Sequence, residues 1–139
     1  MKSKLAKKRD NPRSTYWKRR ADALWGEYQH LPNACAMHGA SGHTCAGKLE
    51  AHHIISRSVV CLRHEPTNGV LLCSLGHKYC TRLSPHAAPV GFTSWLERWY
   101  PVKAAWVKAN LWRTGQPDYK AACEKLEAAI KQQASTRNP

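Results

Sequence analysis

Four polar residues that can bind a metal or move a proton lie between Leu49 and His77. They are the adjacent pair His52 and His53, then Asn68 within an Asn-Gly dipeptide, and His77 itself. Neutral imidazoles bind divalent transition metals, and an imidazole whose pKa lies near neutrality can take a proton from water. A bound metal polarises a phosphate and stabilises the leaving oxygen. The set therefore suits metal-assisted hydrolysis of a phosphodiester.

Short elements along this stretch can bring the four residues together. Residues 49–55 alternate and are rich in β-formers, which predicts a strand. The Asn-Gly dipeptide at Asn68 predicts a turn into a second strand at residues 70–73. Ser74 can cap a following helix that carries His77 on its first turn. Strand, loop, strand and helix would then direct the four side chains towards one place.

The paired histidines are expected to differ in role, because adjacent residues of a strand face opposite sides. One would bind the metal and the other would face the attacking water. The stretch resembles the ββα-metal motif of HNH endonucleases, and A-H-H-I-I-S-R-S followed by L-R-H-E-P-T-N-G-V-L-L-C resembles small HNH proteins encoded by bacteriophages. The resemblance implies that His53 is the general base and that Asn68 orients it. It also implies that His52 and His77 bind a catalytic divalent ion (Mg²⁺, Mn²⁺, Ni²⁺ or Zn²⁺).

Two positions depart from the pattern of that family. Colicin-type sites place another histidine four residues after the helix-borne one, and Thr81 stands there in this chain. His86 or a water molecule would then fill the third ligand position. Many zinc-containing members read L-C-x-x-C-H before the helix, and Gly76 replaces the second cysteine here.

Cysteines and histidines outside the motif predict a second, structural metal site. Residues 33–48 contain two cysteines and two histidines among three glycines, and Cys35-x-x-His38 looks like a zinc knuckle with one thiolate replaced by imidazole. One helical turn separates Cys80 from Gly76, so Cys80 could fill the space of the missing cysteine. The alternative is a set of reduced thiols without a metal. The expected zinc ligands are Cys35, Cys73 and Cys80, with either His38 or Cys45 as the fourth.

The charge of the chain predicts a polyanionic partner. The formal net charge is +13 and the calculated isoelectric point is about 9.8. DNA is the leading candidate, because its phosphates bind clustered Lys and Arg side chains. A membrane surface is the weaker candidate. No segment approaches the roughly 20 apolar residues of a membrane span. The expected phosphate-binding residues are Lys18, Arg19, Arg20, Arg57 and Arg63.

The expected compartment is a reducing cytoplasm, in a bacterial or phage-infected cell. The first residues, Met1 to Lys4, are not followed by an apolar core, so no secretory signal is expected. Without export, six cysteines mixed with eight histidines indicate metal ligands more than disulfides.

The predicted architecture is α+β, with a ββα-metal core flanked by helices. Apolar residues recur at helical spacing on both sides of the core. The N-terminal segment is strongly basic and lacks such spacing, which indicates a solvated tail or a phosphate-binding arm. The predicted divisions are a basic flexible tail at 1–13, a helix at 14–31, the core with its zinc knuckle at 32–90, helices at 91–133 and a tail at 134–139.

These observations favour a metal-dependent HNH endonuclease that hydrolyses DNA, with His53 as the base. One alternative is a zinc-stapled DNA-binding module without catalysis, although a pure binder has no need of the histidine and asparagine set. Another is a protein that binds or cleaves RNA, which the charge permits and which contacts to the 2′-hydroxyl would distinguish.

Overall fold

The computed structural model describes residues 1–137 and has an α+β fold, as predicted. It consists of five α-helices, a two-stranded antiparallel sheet and one π-helical turn. The helices are α1 (Lys4–Asp10), α2 (Thr15–His30), α3 (Pro89–Trp99), α4 (Pro101–Asn110) and α5 (Tyr119–Arg137). The strands are β1 (Leu49–His52) and β2 (Val70–Cys73), and the π-helical turn is Leu75–Tyr79.

The small sheet lies at the centre and fixes the register of the candidate site. In its antiparallel ladder, Leu49 is opposite Cys73 and His52 is opposite Val70. All four residues of β2 are buried, whereas those of β1 are half-buried. The apolar run of β2 therefore enters the core, and β1 presents polar side chains beside it.

The predicted helix after β2 is a single π-helical turn. The carbonyl of Leu75 accepts a hydrogen bond from the N–H of Cys80, which is a five-residue closure. The carbonyl of His77 accepts from the hydroxyl of Ser84 at 2.8 Å, where a continuing α-helix would use the N–H of residue 81. The chain therefore leaves the helical path directly after this turn.

The basic N-terminal segment, which the sequence predicted to be a flexible tail, contains a short helix. The hydroxyl of Ser3 accepts from the N–H of Ala6, and this cap starts α1. The carbonyl of Arg9 accepts from the Trp17 indole at 3.0 Å, so the segment is anchored to α2. The Ser3 cap and the hydrogen bond from Trp17 therefore stabilise a helix in a segment whose sequence lacks apolar periodicity.

The other helices follow the predicted spacing. Ser14 lies at the N-cap of α2, and a proline begins each of α3 and α4. Helix α5 extends to Arg137, so most of the predicted 134–139 tail is helical and its last two residues lie outside the described residues. No helix within residues 1–137 combines the length and apolar character needed to cross a membrane.

The main apolar core joins β2 to α3 and α4. Its buried residues are Cys35, Met37, Val70, Leu72, Cys73, Phe92, Trp95, Leu96 and Ala104. A second contact surface forms where α2 packs along α5, with Leu126 fully buried. Helices on both sides therefore hold the sheet and the loop between its strands.

Candidate metal centres

Three histidines converge at the end of β1, and we call them the histidine triad. His52 Nδ1 lies 3.1 Å from His77 Nε2, and His86 Nε2 lies 3.1 Å from the same atom. All three nitrogens lie within 4.8 Å of one another. Two nitrogens that each lie about 2.0–2.1 Å from one ion are separated by about 2.9–3.4 Å. The triad is therefore close enough to hold a metal ion.

A carboxylate orients the middle histidine of the triad. Glu50 Oε1 accepts from His77 Nδ1–H at 3.2 Å, and Glu50 Oε2 accepts from Lys78 at 3.2 Å. This bond leaves the Nε2 lone pair of His77 free for a metal, which is the usual arrangement of a metal-binding histidine. The sequence carried a signal for Glu50, because a residue two positions before His52 lies on the same face of a strand.

Ser84 positions the third histidine of the triad. Its buried hydroxyl donates to the carbonyl of His77 and accepts from the N–H groups of His86 and Ala87, at 3.2 and 3.0 Å. The hydroxyl thus joins the π-helical turn to the loop that carries His86. His86 therefore lies beside His52 and His77, whereas Thr81 is not part of the group.

The environment favours the neutral, metal-binding form of His52 and His77. Burial, together with the neighbouring imidazoles of His77 and His86, lowers the pKa of His52 to about 3. Burial also lowers the pKa of His77, although its bond to Glu50 opposes the shift. A neutral imidazole offers a lone pair without first losing a proton.

His53 directly follows β1 and is not part of the triad. Its Nε2–H donates to the carbonyl of Arg63 at 2.9 Å, and its ring stacks on Trp25 with centroids 3.7 Å apart. A carbonyl can only accept, so the proton is on Nε2 and the lone pair is on Nδ1. Burial lowers the pKa of His53. His53 therefore has a proton acceptor at Nδ1 and is separate from the triad.

Asn68 holds a loop and does not bond to His53 directly. Its Oδ1 accepts from the N–H of Ile55 at 2.7 Å, and its Nδ2 donates to the carbonyls of Ile55 and Leu62. The side chain is fully buried. The sequence predicted that Asn68 orients the base. The side chain instead bonds to the backbone of Ile55, two residues after His53, so any effect on His53 passes through that backbone.

A second group of ligands, which we call the thiol cluster, consists of Cys35, His43, Cys45 and Cys73. Their ligand atoms lie within 4.8 Å of one another, which is close enough to hold a metal such as zinc. His43 Nε2 lies 3.5 Å from both Cys45 Sγ and Cys73 Sγ. Tetrahedral zinc separates a sulfur ligand from a nitrogen ligand by about 3.5 Å.

The electrostatics of the thiol cluster also favour a cation. Desolvation of its thiol and the neighbouring Cys35 and Cys73 raise the pKa of Cys45 to about 12. Three thiols this close cannot all ionise unless a positive charge lies between them. A zinc ion supplies that charge and converts the sulfurs to thiolate ligands.

The predicted zinc ligands are corrected at two positions. Cys80 Sγ points to the carbonyl of Gly42 at 3.9 Å and is outside the thiol cluster, because the π-helical turn places residue 80 differently from an α-helix. His38 is exposed, with Nδ1 3.9 Å from Cys45 Sγ, and is also outside the cluster. Cys45, the other predicted fourth ligand, belongs to the cluster, and His43 takes the place that was predicted for Cys80.

Gly76 explains why His43 fits. A Cβ atom at position 76 would lie 3.1 Å from His43 Cε1 and 3.4 Å from Cys73 Sγ. The imidazole therefore occupies the space next to Cys73 into which a side chain at 76 would project. The glycine that replaces the second cysteine of the family pattern is the sequence signal for this ligand.

The predicted phosphate-binding residues differ in whether they already pair with an acidic side chain. Arg63 forms a two-pronged ion pair with Asp22, at 2.8 and 3.2 Å, and is committed to that contact rather than to a phosphate. Arg20 is exposed but pairs with Glu127 on α5. Of the remaining three, Arg19 and Arg57 are exposed and Lys18 is half-buried.

His64, in the loop between the strands, is buried. Its Nε2 lies 2.6 Å from Asp22 Oδ1, the carboxylate oxygen that Arg63 also contacts. Asp22 on α2 therefore binds two successive residues of the loop between the strands. A sequence pattern within the motif cannot indicate this partner, because α2 lies outside it.

Comparison of the chain with models of known protein families, with curated protein sequences and with solved structures found no match.

Proposed function

We propose that this protein is a metal-dependent endonuclease of the HNH type that hydrolyses DNA phosphodiester bonds. One observation carries the proposal: three imidazole nitrogens converge at His52, His77 and His86, and the adjacent His53 keeps a free Nδ1 outside that group. Metal ligands and a separate base are what hydrolysis of a phosphodiester requires. The order of two antiparallel strands followed by the π-helical turn that carries His77 also supports the proposal.

The roles of the side chains follow from their bonds. His53 would accept a proton from the attacking water at Nδ1 while its Nε2–H stays on the carbonyl of Arg63. The triad would hold the divalent ion, with Glu50 fixing the orientation of His77. When bound, the ion acts as a Lewis acid that polarises the phosphoryl oxygen and stabilises the leaving oxygen.

The donor atoms of the triad favour a transition metal over Mg²⁺. Three imidazoles are borderline-soft nitrogen ligands, which suit Zn²⁺ and Ni²⁺, whereas Mg²⁺ prefers oxygen ligands and retained water. We therefore expect Ni²⁺ or Zn²⁺ to support activity better than Mg²⁺.

We infer that the thiol cluster holds a structural zinc ion. All four of its positions carry protein ligands, which is typical of structural rather than catalytic zinc. Cys35 and Cys73 are also buried members of the main core. The ion would connect the loop of residues 35–45 to the end of β2, four residues before His77.

Cleavage of matched substrates tests the proposal. Protein that keeps its structural zinc but has been dialysed free of other metals is incubated with supercoiled plasmid DNA or an RNA of similar length, with Mn²⁺, Ni²⁺, Zn²⁺ or Mg²⁺ added and with EDTA as the control. We expect nicked or linear DNA only when a metal is added, and much less from the His77→Ala variant at the same metal concentration. Binding without cleavage would favour the zinc-stapled binding module, and cleavage of RNA alone would favour the ribonuclease alternative.

The basic surface of α1 is expected to contribute to DNA affinity. Replacing Lys4, Lys7 and Lys8 by glutamine should make the salt dependence of binding shallower, by up to about 0.9 in log–log slope for each phosphate that a lysine no longer neutralises. These lysines are exposed. Fluorescence anisotropy with labelled duplex DNA at several salt concentrations measures the slope.

A matched variant controls for the loss of three positive charges. Replacing Lys108, Lys125 and Lys131 by glutamine changes the net charge equally on helices α4 and α5. Equal slopes for the two variants would show that α1 is a bystander and not a binding arm.

A further inference from the structure

Helix α2 holds the loop behind His53 at three successive residues. Asp22 accepts from the Arg63 guanidinium at 2.8 and 3.2 Å and from His64 Nε2 at 2.6 Å. The indole of Trp25 donates to the carbonyl of Glu65 at 3.1 Å. Asp22 and Trp25 are three residues apart and therefore share one face of the helix.

The same face of α2 also confines the imidazole of His53. The rings of Trp25 and His53 are stacked, with an angle of 6° between their planes. The edge of the imidazole bonds to the carbonyl of Arg63, whose side chain is held by Asp22. One ring face and one ring nitrogen of His53 are thus set by two residues about thirty positions earlier in the chain.

We propose that Asp22 is a positioning residue for His53, which it orients by fixing the Arg63 carbonyl that receives the Nε2 proton. The inference rests on the proposed function in that His53 is taken as the base. A two-pronged guanidinium–carboxylate pair restrains both direction and distance. Without it, residue 63 can move, and the imidazole loses the acceptor that keeps its proton on Nε2 and its lone pair on Nδ1. Misplacement of a reacting group by about 1 Å typically lowers the rate by about 10²-fold.

The tautomer of His53 is the readout that does not depend on cleavage. Long-range ¹H–¹⁵N spectra of zinc-loaded protein distinguish a protonated from an unprotonated ring nitrogen. We expect His53 to be the Nε2–H tautomer in the unsubstituted protein and a mixture of tautomers in Asp22→Ala. Asp22→Asn, which keeps the shape but loses the charge, should lie between them. Glu97→Gln, which breaks an ion pair between α3 and α4, should leave the spectrum unchanged.

Kinetics in two backgrounds shows whether Asp22 acts through His53. Asp22→Ala should lower kcat by about 10²-fold with KM and DNA affinity nearly unchanged. In a His53→Ala background the same substitution should have almost no further effect, because the residue it positions is absent.

The outcomes separate this inference from the proposed function. An unchanged His53 tautomer in both Asp22 variants overturns the inference, and so does a full additional loss of rate in the His53→Ala background. If the protein cleaves no nucleic acid, the proposed function fails, but a shift of the tautomer in Asp22→Ala still supports the positioning of His53 by Asp22.

Discussion

Replacing His53 by alanine is expected to lower DNA cleavage by about 10²- to 10⁴-fold, which is the usual contribution of a general base. DNA affinity and metal content should stay nearly unchanged, because His53 is outside both groups of metal ligands. Single-turnover cleavage of a supercoiled plasmid at saturating metal measures the rate, and anisotropy measures the affinity.

The His77→Ala variant is the matched comparison. It removes a ligand rather than the base, so additional metal should partly restore its activity, whereas no metal concentration should restore His53→Ala. Normal cleavage by His53→Ala, together with an inactive His52→Ala that still binds metal, would mean that the roles of the paired histidines are reversed.

Asn68→Ala should behave differently from His53→Ala, because the buried Asn68 side chain forms hydrogen bonds that hold the backbone of the loop between the strands. The substitution leaves the backbone groups of Ile55 and Leu62 without their partner, at about 1–3 kcal/mol for each unsatisfied group. We therefore expect reduced stability together with reduced activity. The activity should fall less than in His53→Ala, because a displaced base can still accept a proton.

Replacing Cys73 by serine is expected to remove the structural zinc and to lower the free energy of unfolding by more than about 4 kcal/mol. Cys73 is fully buried in the core and belongs to the thiol cluster, so the loss affects packing and metal binding together. Metal analysis of the purified protein and urea unfolding measure the two effects.

Four further variants separate the ligand set in the structure from the set that the sequence favoured. His43→Ala should lower zinc affinity, whereas His38→Ala and Cys80→Ser should keep about one zinc ion per chain. Cys61→Ser, at a position outside the cluster whose thiol lies near the carbonyl of Arg113, controls for the loss of a thiol. Full zinc content and normal stability in Cys73→Ser would contradict the structural role.

The central strands and most helices were predictable because their signals are local. Val70–Cys73 is a short apolar run after an Asn-Gly turn, and its bounds match the predicted strand. Proline at the start of α3 and α4 and apolar spacing within them mark the C-terminal helices. The single π-helical turn was not predictable, because its closure by a hydrogen bond from the N–H of Cys80 to the carbonyl of Leu75 follows no local sequence pattern.

The candidate sites were predictable only where their residues also depend on local sequence signals. His52 and His77 meet as expected, because strand alternation and the short connection restrict where they can lie. The positions of His43 and His86 depend on loops whose path is set by tertiary contacts, so their spacing carried little information. The sequence also predicted that Arg63 binds phosphate, because its partner Asp22 lies on a helix forty-one residues away and gives no local signal.

The most direct measurement is anomalous X-ray diffraction from crystals of DNA-cleaving protein that carries about one zinc ion per chain, soaked in Ni²⁺ in zinc-free solution. Data collected at the absorption edges of both metals locate each ion separately. We predict a nickel peak about 2.0–2.1 Å from His52 Nδ1, His77 Nε2 and His86 Nε2, and a zinc peak within the thiol cluster. Crystals with no metal at the histidine triad, or with nickel bound only elsewhere, would contradict the account.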